Sequence, residues 1–295
     1  KSRPDLVIIK YWLPFMAPCL GTIARIARGN GHTKVISIID NIIPHEKRVG
    51  DKLFSKYFVK SCDAFIAMSR SVMDDMKKFD GKKPIIYCPH PLYDNFGAII
   101  SKDEAKAKLN LELNTNYLLF FGIIRPYKGL DMLLEAFYDE RLRKHPLKLI
   151  IAGEYYQDPQ PILDLIEKYK LKDHIISVNK FIPDQDVAAY FCASDIVVQP
   201  YKSATQSGIT QIAYHFNKPM IVTNVGGLSE MVPHGKVGYV VDTVPKQITD
   251  AIVDYYENNR EGAFTARVME EKKKYSWEKM LMEIVTLYEE LTKNK

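Results

Sequence analysis

Phe120-Phe121-Gly122-Ile123-Ile124-Arg125-Pro126-Tyr127-Lys128-Gly129 is the stretch around which the chain is organised. Tyr117 to Phe121 is an apolar run of strand character, and from Leu130 the apolar residues recur at helical spacing through Leu133, Leu134 and Phe137. The local order is therefore strand, basic loop, helix. In open α/β sheets ligands sit beyond the carboxyl ends of strands, where helix N-termini offer free N–H groups and the positive end of a dipole. Arg125 and Lys128 add two cations at that place. Taken alone, the stretch reads equally as a site for a phosphorylated ligand and as a solvated basic turn.

Outward toward the C-terminus, strands are expected at Lys148 to Ala152, Ile175 to Val178, Ile196 to Gln199, Met220 to Thr223 and Tyr239 to Val241, with helices between. A last helix runs from about Trp277 to Leu291, with Met280, Leu281, Ile284, Leu287, Tyr288 and Leu291 on one stripe. Toward the N-terminus the strands are Leu6 to Ile9, Val35 to Ile39, Ala64 to Ala67 and Ile85 to Tyr87, and helices follow Tyr11, Leu53 and Ser71. Alternating strands and helices imply a parallel doubly wound sheet in each half. Pro89 to Gly97 breaks the periodicity before a helix opened by Ser101 and Glu104, a capping-box pair. The expected division is residues 1–96, residues 97–275, and a C-terminal helix over 276–295 packing back on the first part. About four strands in the first part is short of the roughly six of a complete dinucleotide-type domain. The expectation is an N-terminal domain lacking its first strands, by roughly 60 to 90 residues at about 30 per βαβ step.

The length of 295 residues favours two cores, and 46% hydrophobic with 26% charged residues is ordinary globular composition. The 41 basic and 36 acidic residues leave a surplus of five, too small to argue for nucleic acid but compatible with anionic ligands or an anionic membrane surface. Cys19, Cys62, Cys88 and Cys192 are dispersed, without a CxxC pair or companion histidines, which points to a reducing cytosol and no structural zinc. No signal peptide opens the chain and no apolar run reaches spanning length. Tyr11 to Ala24, with Trp12, Phe15 and Met16 between Lys10, Arg25 and Arg28, reads as a buried crossover helix or as a peripheral membrane contact.

The strand exits of the second series collect Gly122, Arg125 and Lys128, then Gly153 and Glu154, then Lys180, Phe181 and Ile182, then Pro200 to Gly208, and Asn224 to Gly227. Two glycine-bearing turns beside two cations suit a diphosphate, and Ser207-Gly208 places free amides at the start of a helix. In the first series the exit after Ile39 gathers Asp40, His45 and Glu46, and His90 stands between two prolines as a hinge residue.

With these residues in hand the chain resembles family-four retaining glycosyltransferases of the GT-B fold, in which a strand leads into G-x-x-x-x-x-K-G, here Gly122 to Gly129. The likeness continues through Phe181-Ile182-Pro183, Ala193 to Pro200, Lys218 to Glu230, Tyr275-Ser276-Trp277 and Cys62 to Ser69. It departs at Ile123, where the family usually has arginine, and at Ala204 and Ile212, where a pair of glutamates is expected. It departs also at Ile39-Asp40, where the family often has a histidine-containing pair. The resemblance implies two Rossmann-like α/β domains facing across a cleft, and transfer of a sugar from a nucleoside-diphosphate sugar to a glycan or lipid-linked hydroxyl. It implies neither metal nor cofactor. Arg125, Lys128 and the Ser207-Gly208 amides then stabilise the leaving diphosphate, while Gly122, Gly129, Gly153, Glu154, Phe181, Ile182, Gln206 and Gln211 hold the donor, and Asp40 and His45 stand as catalytic candidates. A nucleotide-sugar epimerase of the same fold and a non-catalytic sugar-nucleotide-binding domain are the alternatives. The expected location is the cytoplasm, with a peripheral membrane contact as an added possibility.

Overall fold

The computed structural model describes residues 3–44 and 48–293. The chain forms two units, Lys1–Pro91 with Lys274–Lys295, and Leu92–Lys273. The boundary was expected after residue 96. Residues 92–96 instead go with the second unit, where the ring of Tyr93 lies 3.1 Å from where a Gly208 Cβ would stand and His215 Nε2 lies 2.8 Å from the Gly97 carbonyl oxygen.

In the first unit, β1 (Leu6–Tyr11), α1 (Ala17–Arg28), β2 (Lys34–Ile39), α2 (Asp51–Ser61), β3 (Ala64–Ala67), α3 (Arg70–Lys77) and β4 (Ile85–Tyr87) follow one another. Among the described residues the strands form a parallel sheet in the order β1-β2-β3-β4. Alternate residues of each strand face opposite layers: Tyr11, Ile39 and Phe65 pack with Phe58 and Val59 of α2, whereas Ile36, Ile66 and Cys88 pack with the C-terminal helix. Ser69 caps α3, its Oγ accepting from Val72 N at 3.1 Å. Along α1 the small residues Ala17, Gly21 and Ala24 are buried, and Ile23 and Ile26 are exposed, as is Phe15 in the 3-10 turn just before the helix. This helix is thus neither wholly buried nor wholly superficial.

In the second unit come α4 (Lys102–Lys108), β5 (Asn116–Phe121), α5 (Leu130–Phe137), β6 (Leu147–Ala152), α6 (Gln160–Lys168), β7 (Ile175–Val178), α7 (Asp184–Ala193), β8 (Ile196–Gln199), α8 (Gly208–His215), β9 (Met220–Thr223), β10 (Gly238–Val241), α9 (Pro245–Glu257) and α10 (Glu261–Glu271). The parallel sheet runs β10-β9-β8-β5-β6-β7. Strands buried on both faces read as near-continuous apolar runs, as Tyr117 to Phe121 of β5, Leu149 to Ala152 of β6 and Ile196 to Val198 of β8 do. Ser101 Oγ accepts from Glu104 N and caps α4. Asp195 knits the amino end of the sheet together, accepting from Tyr117 N at 2.7 Å, Tyr256 Oη at 3.0 Å and Lys102 Nζ at 2.6 Å. The final helix α11 (Trp277–Lys293) returns to the first unit, burying Met280, Ile284 and Leu287.

Candidate active site

Strand order reverses direction between β5 and β8, the neighbours from which the sheet grows both ways. Such a switch point opens a crevice at the carboxyl ends, because the connections leave it on opposite sides. The Phe120 to Gly129 stretch and the Pro200 to Gly208 loop are the two exits at that point.

Gly122 leaves β5 with φ +97, a left-handed conformation that glycine adopts without strain. Ile124 N donates to Glu154 O (2.8 Å) and Tyr156 N to Ile124 O (3.1 Å), tying this loop to the one after β6. Arg125 lies over the Tyr156 ring, 3.8 Å from its centroid. Pro126–Lys128 make a single 3-10 turn, and Lys202 N donates to Tyr127 O at 2.7 Å, fixing the loop to the exit of β8.

Lys128 is only 9% exposed. Its Nζ lies 3.2 Å from the place a Gly122 Cβ would occupy and 5.7 Å from the centroid of Tyr201. Among the described residues it makes no ion pair. Burial, helped by the charge of Arg125, pushes its ammonium down to about 8. A buried cation without a counter-ion is destabilising; such groups concentrate where a ligand supplies the missing charge.

Opposite, Ser207 caps α8, its Oγ accepting from Ile209 N and lying 3.2 Å from Tyr201 Oη. Ile209 Cδ1 also stands 3.2 Å from the Gly122 Cβ position, so the first turn of α8 overlies the glycine turn. Gln206 Nε2 and Gln211 Oε1 are buried without a hydrogen-bond partner among the described residues. The structure therefore brings Gly122, Lys128, Gly129, Ser207 and Gly208 into one place, with Arg125, Gly153 and Glu154 on the adjoining turn. Glu154 meets this loop through its backbone carbonyl, and its side chain is exposed. Phe181, 67% exposed, and buried Ile182 follow the outer strand β7.

Tyr156 was not foreseen as a site residue, and Tyr201 was included only as part of the Pro200 to Gly208 exit. Tyr201 adjoins Pro200 in sequence, yet only the packing of the two loops puts its ring beside Lys128. Asp40 belongs to the first unit, where Lys10 Nζ lies 3.3 Å from one of its oxygens. Burial raises its carboxyl above the usual range, partly offset by Lys10 and His90. His90 has its Nδ1 2.6 Å from Pro91 O, and burial lowers it. His45 lies outside the described residues. Among those described, no group of three His, Cys, Asp or Glu side chains is placed to hold a metal, and no helix is long and apolar enough to cross a membrane.

The profile of the family "Glycosyl transferases group 1" matches residues 101–275, more than half of the chain. The chain belongs to that family. An uncharacterized glycosyltransferase of Methanocaldococcus jannaschii is 25% identical over 293 residues, covering 98% of this chain and 76% of that protein. The sucrose-phosphate synthase of Thermosynechococcus elongatus shares the fold at a TM-score of 0.80 and 18% identity, over 99% of this chain and 74% of its own. Anabaena HepE, crystallised in complex with UDP, does so at 0.76 and 15%, over 98% and 78%. The chain spans 57% and 61% of the length of two further curated relatives. The expected fold class, two Rossmann-like α/β halves of GT-B type, is the one observed for this glycosyltransferase.

Proposed function

We propose that the glycosyltransferase takes a sugar from a nucleoside-diphosphate sugar, with retention of configuration and without a metal, and passes it to a glycan or lipid-linked hydroxyl. The observation that carries this reading is Lys128, a buried cation without a carboxylate partner, facing a glycine turn and a helix N-terminus at the switch point of the sheet. The diphosphate of the donor supplies its counter-charge. As the glycosidic bond to the leaving phosphate breaks, Arg125, Lys128 and the amides of Ser207 and Gly208 stabilise the charge that develops there, a role worth about 3 kcal/mol per donor. Gln206 and Gln211 offer neutral hydrogen-bonding groups for ribose or sugar hydroxyls, in place of carboxylates. Gly153, Glu154, Phe181 and Ile182 border the nucleotide. The leaving phosphate takes the acceptor proton, with Asp40 and His45 the candidates to assist on the acceptor side. HepE, which shares the fold, was crystallised in complex with UDP, in keeping with a nucleotide ligand. Exposed Trp12, Phe15 and Ile26 support an apolar or membrane-surface partner for the first unit.

Incubation with radiolabelled UDP-, GDP- and ADP-sugars in the presence of EDTA tests the reading. Release of labelled sugar to acceptor or water, undiminished by EDTA, is expected. Abolition by EDTA with recovery on adding Mg²⁺ or Mn²⁺ would show that the metal-free scheme is wrong. Formation of an epimerised nucleotide sugar would instead support the epimerase.

A further inference from the structure

Tyr201 stands between the two sides of the crevice at the switch point and touches both. Its ring centroid lies 5.7 Å from Lys128 Nζ, and its Oη lies 3.2 Å from Ser207 Oγ at the start of α8. The residue is 3% exposed. Thr223 Oγ1, at the end of β9, donates to its backbone carbonyl at 2.5 Å, and the Tyr127 ring meets it edge-on with centroids 6.0 Å apart. Both the main chain and the ring of Tyr201 are thus fixed before any ligand arrives.

The protons at this contact have one consistent arrangement. Burial raises the Tyr201 phenol well above its ordinary range, so it keeps its proton. Among the described residues the partner of that hydroxyl is Ser207 Oγ, and a buried O–H donates to the acceptor within its reach. Ser207 Oγ also accepts from Ile209 N at 3.2 Å. A serine hydroxyl has two acceptor lone pairs and one proton. With Tyr201 and Ile209 on the lone pairs, the Ser207 proton is left in the remaining tetrahedral direction, and no acceptor for it stands among the described residues. Ser207 is only part-buried and Gly208 beside it is exposed, so a ligand can reach this end of α8.

We propose that Tyr201 is a positioning residue: by donating to Ser207 Oγ it directs the Ser207 hydroxyl as a further donor to the diphosphate, beside the amides at the start of α8. This role rests on the reading of the crevice as the diphosphate site. It gives Ser207 a task beyond capping, since a cap met by an amide alone leaves its hydroxyl proton free to rotate.

Isothermal titration of UDP, GDP and ADP into the full chain tests the role on Tyr201→Phe, Ser207→Ala and the double variant, with folding checked by circular dichroism. Tyr201→Phe keeps the ring beside Lys128 and removes the hydroxyl alone. With the diphosphate that binds the wild type most tightly, Ser207→Ala should weaken binding by roughly tenfold, and Tyr201→Phe by roughly threefold to tenfold. The double variant should bind no more weakly than Ser207→Ala, because the phenol acts through the serine. Ser207→Thr, which keeps a hydroxyl, should bind more tightly than Ser207→Ala, and that advantage should shrink when Tyr201→Phe is added. Wild-type affinity in Tyr201→Phe, or a double variant that loses the product of the two single losses, overturns the proposal and leaves the diphosphate reading standing. Failure of all three diphosphates to bind the wild type overturns both.

Discussion

A Cβ built on Gly129 would lie 1.9 Å from the carbonyl oxygen of Pro200. The loops leaving β5 and β8 therefore meet backbone to backbone, and this contact puts Lys128 and Ser207 on the same crevice. Gly129 also has φ +69, where a Cβ is strained. Gly129→Ala should cost about 3 kcal/mol, because no rotamer relieves an overlap with main chain. An unchanged urea midpoint would mean the two loops are not held this closely.

Lys128→Met should leave the protein at least as stable as wild type at pH 7. It replaces a desolvated, unpaired ammonium by an apolar chain of similar length. Thermal or urea unfolding decides this: a loss above roughly 1 kcal/mol would reveal a structural partner for the ammonium.

The lowered ammonium of Lys128 sets a pH dependence. Its folded value, about 8, lies below the 10.5 of an unfolded lysine, so between those values the unfolded chain holds a proton that the folded one has released. The stability this residue withholds at pH 7 is thus regained as pH rises through that window. Diphosphate binding requires the charged form, and its affinity should fall above about pH 8, by up to roughly tenfold per unit. Calorimetry of UDP binding between pH 7 and 9.5 checks it. In Lys128→Arg, which stays charged, the fall should vanish.

Asp195 is 1% exposed and accepts from Tyr117 N, Tyr256 Oη and Lys102 Nζ. Asp195→Ala should destabilise by about 3 to 5 kcal/mol, since it strands the buried partners of a carboxylate. A urea midpoint close to wild type would contradict this role.

Much of the fold was legible in the sequence because its strands are buried. Ala64–Ala67, Ile85–Tyr87, Ile175–Val178 and Met220–Thr223 lie where the apolar runs put them, and β1 and α11 run only two residues further than expected. The glycine turn was legible too, since Gly122 and Gly129 mark backbone that other residues do not tolerate. What was not legible depends on contacts between distant segments. Tyr201 meets Lys128 only because Gly129 lets the loops touch, and Tyr93 joins the second unit by packing on Gly208.

The central claim is that the crevice between the β5 and β8 exits holds the diphosphate of a nucleotide sugar. Isothermal titration of UDP, GDP and ADP into wild-type protein and Lys128→Met at pH 7 tests it most directly. The account predicts that at least one diphosphate binds at one site per chain, and at least tenfold more weakly to the folded variant. Equal affinity for both proteins, or no binding of any of the three to the wild type, would contradict it.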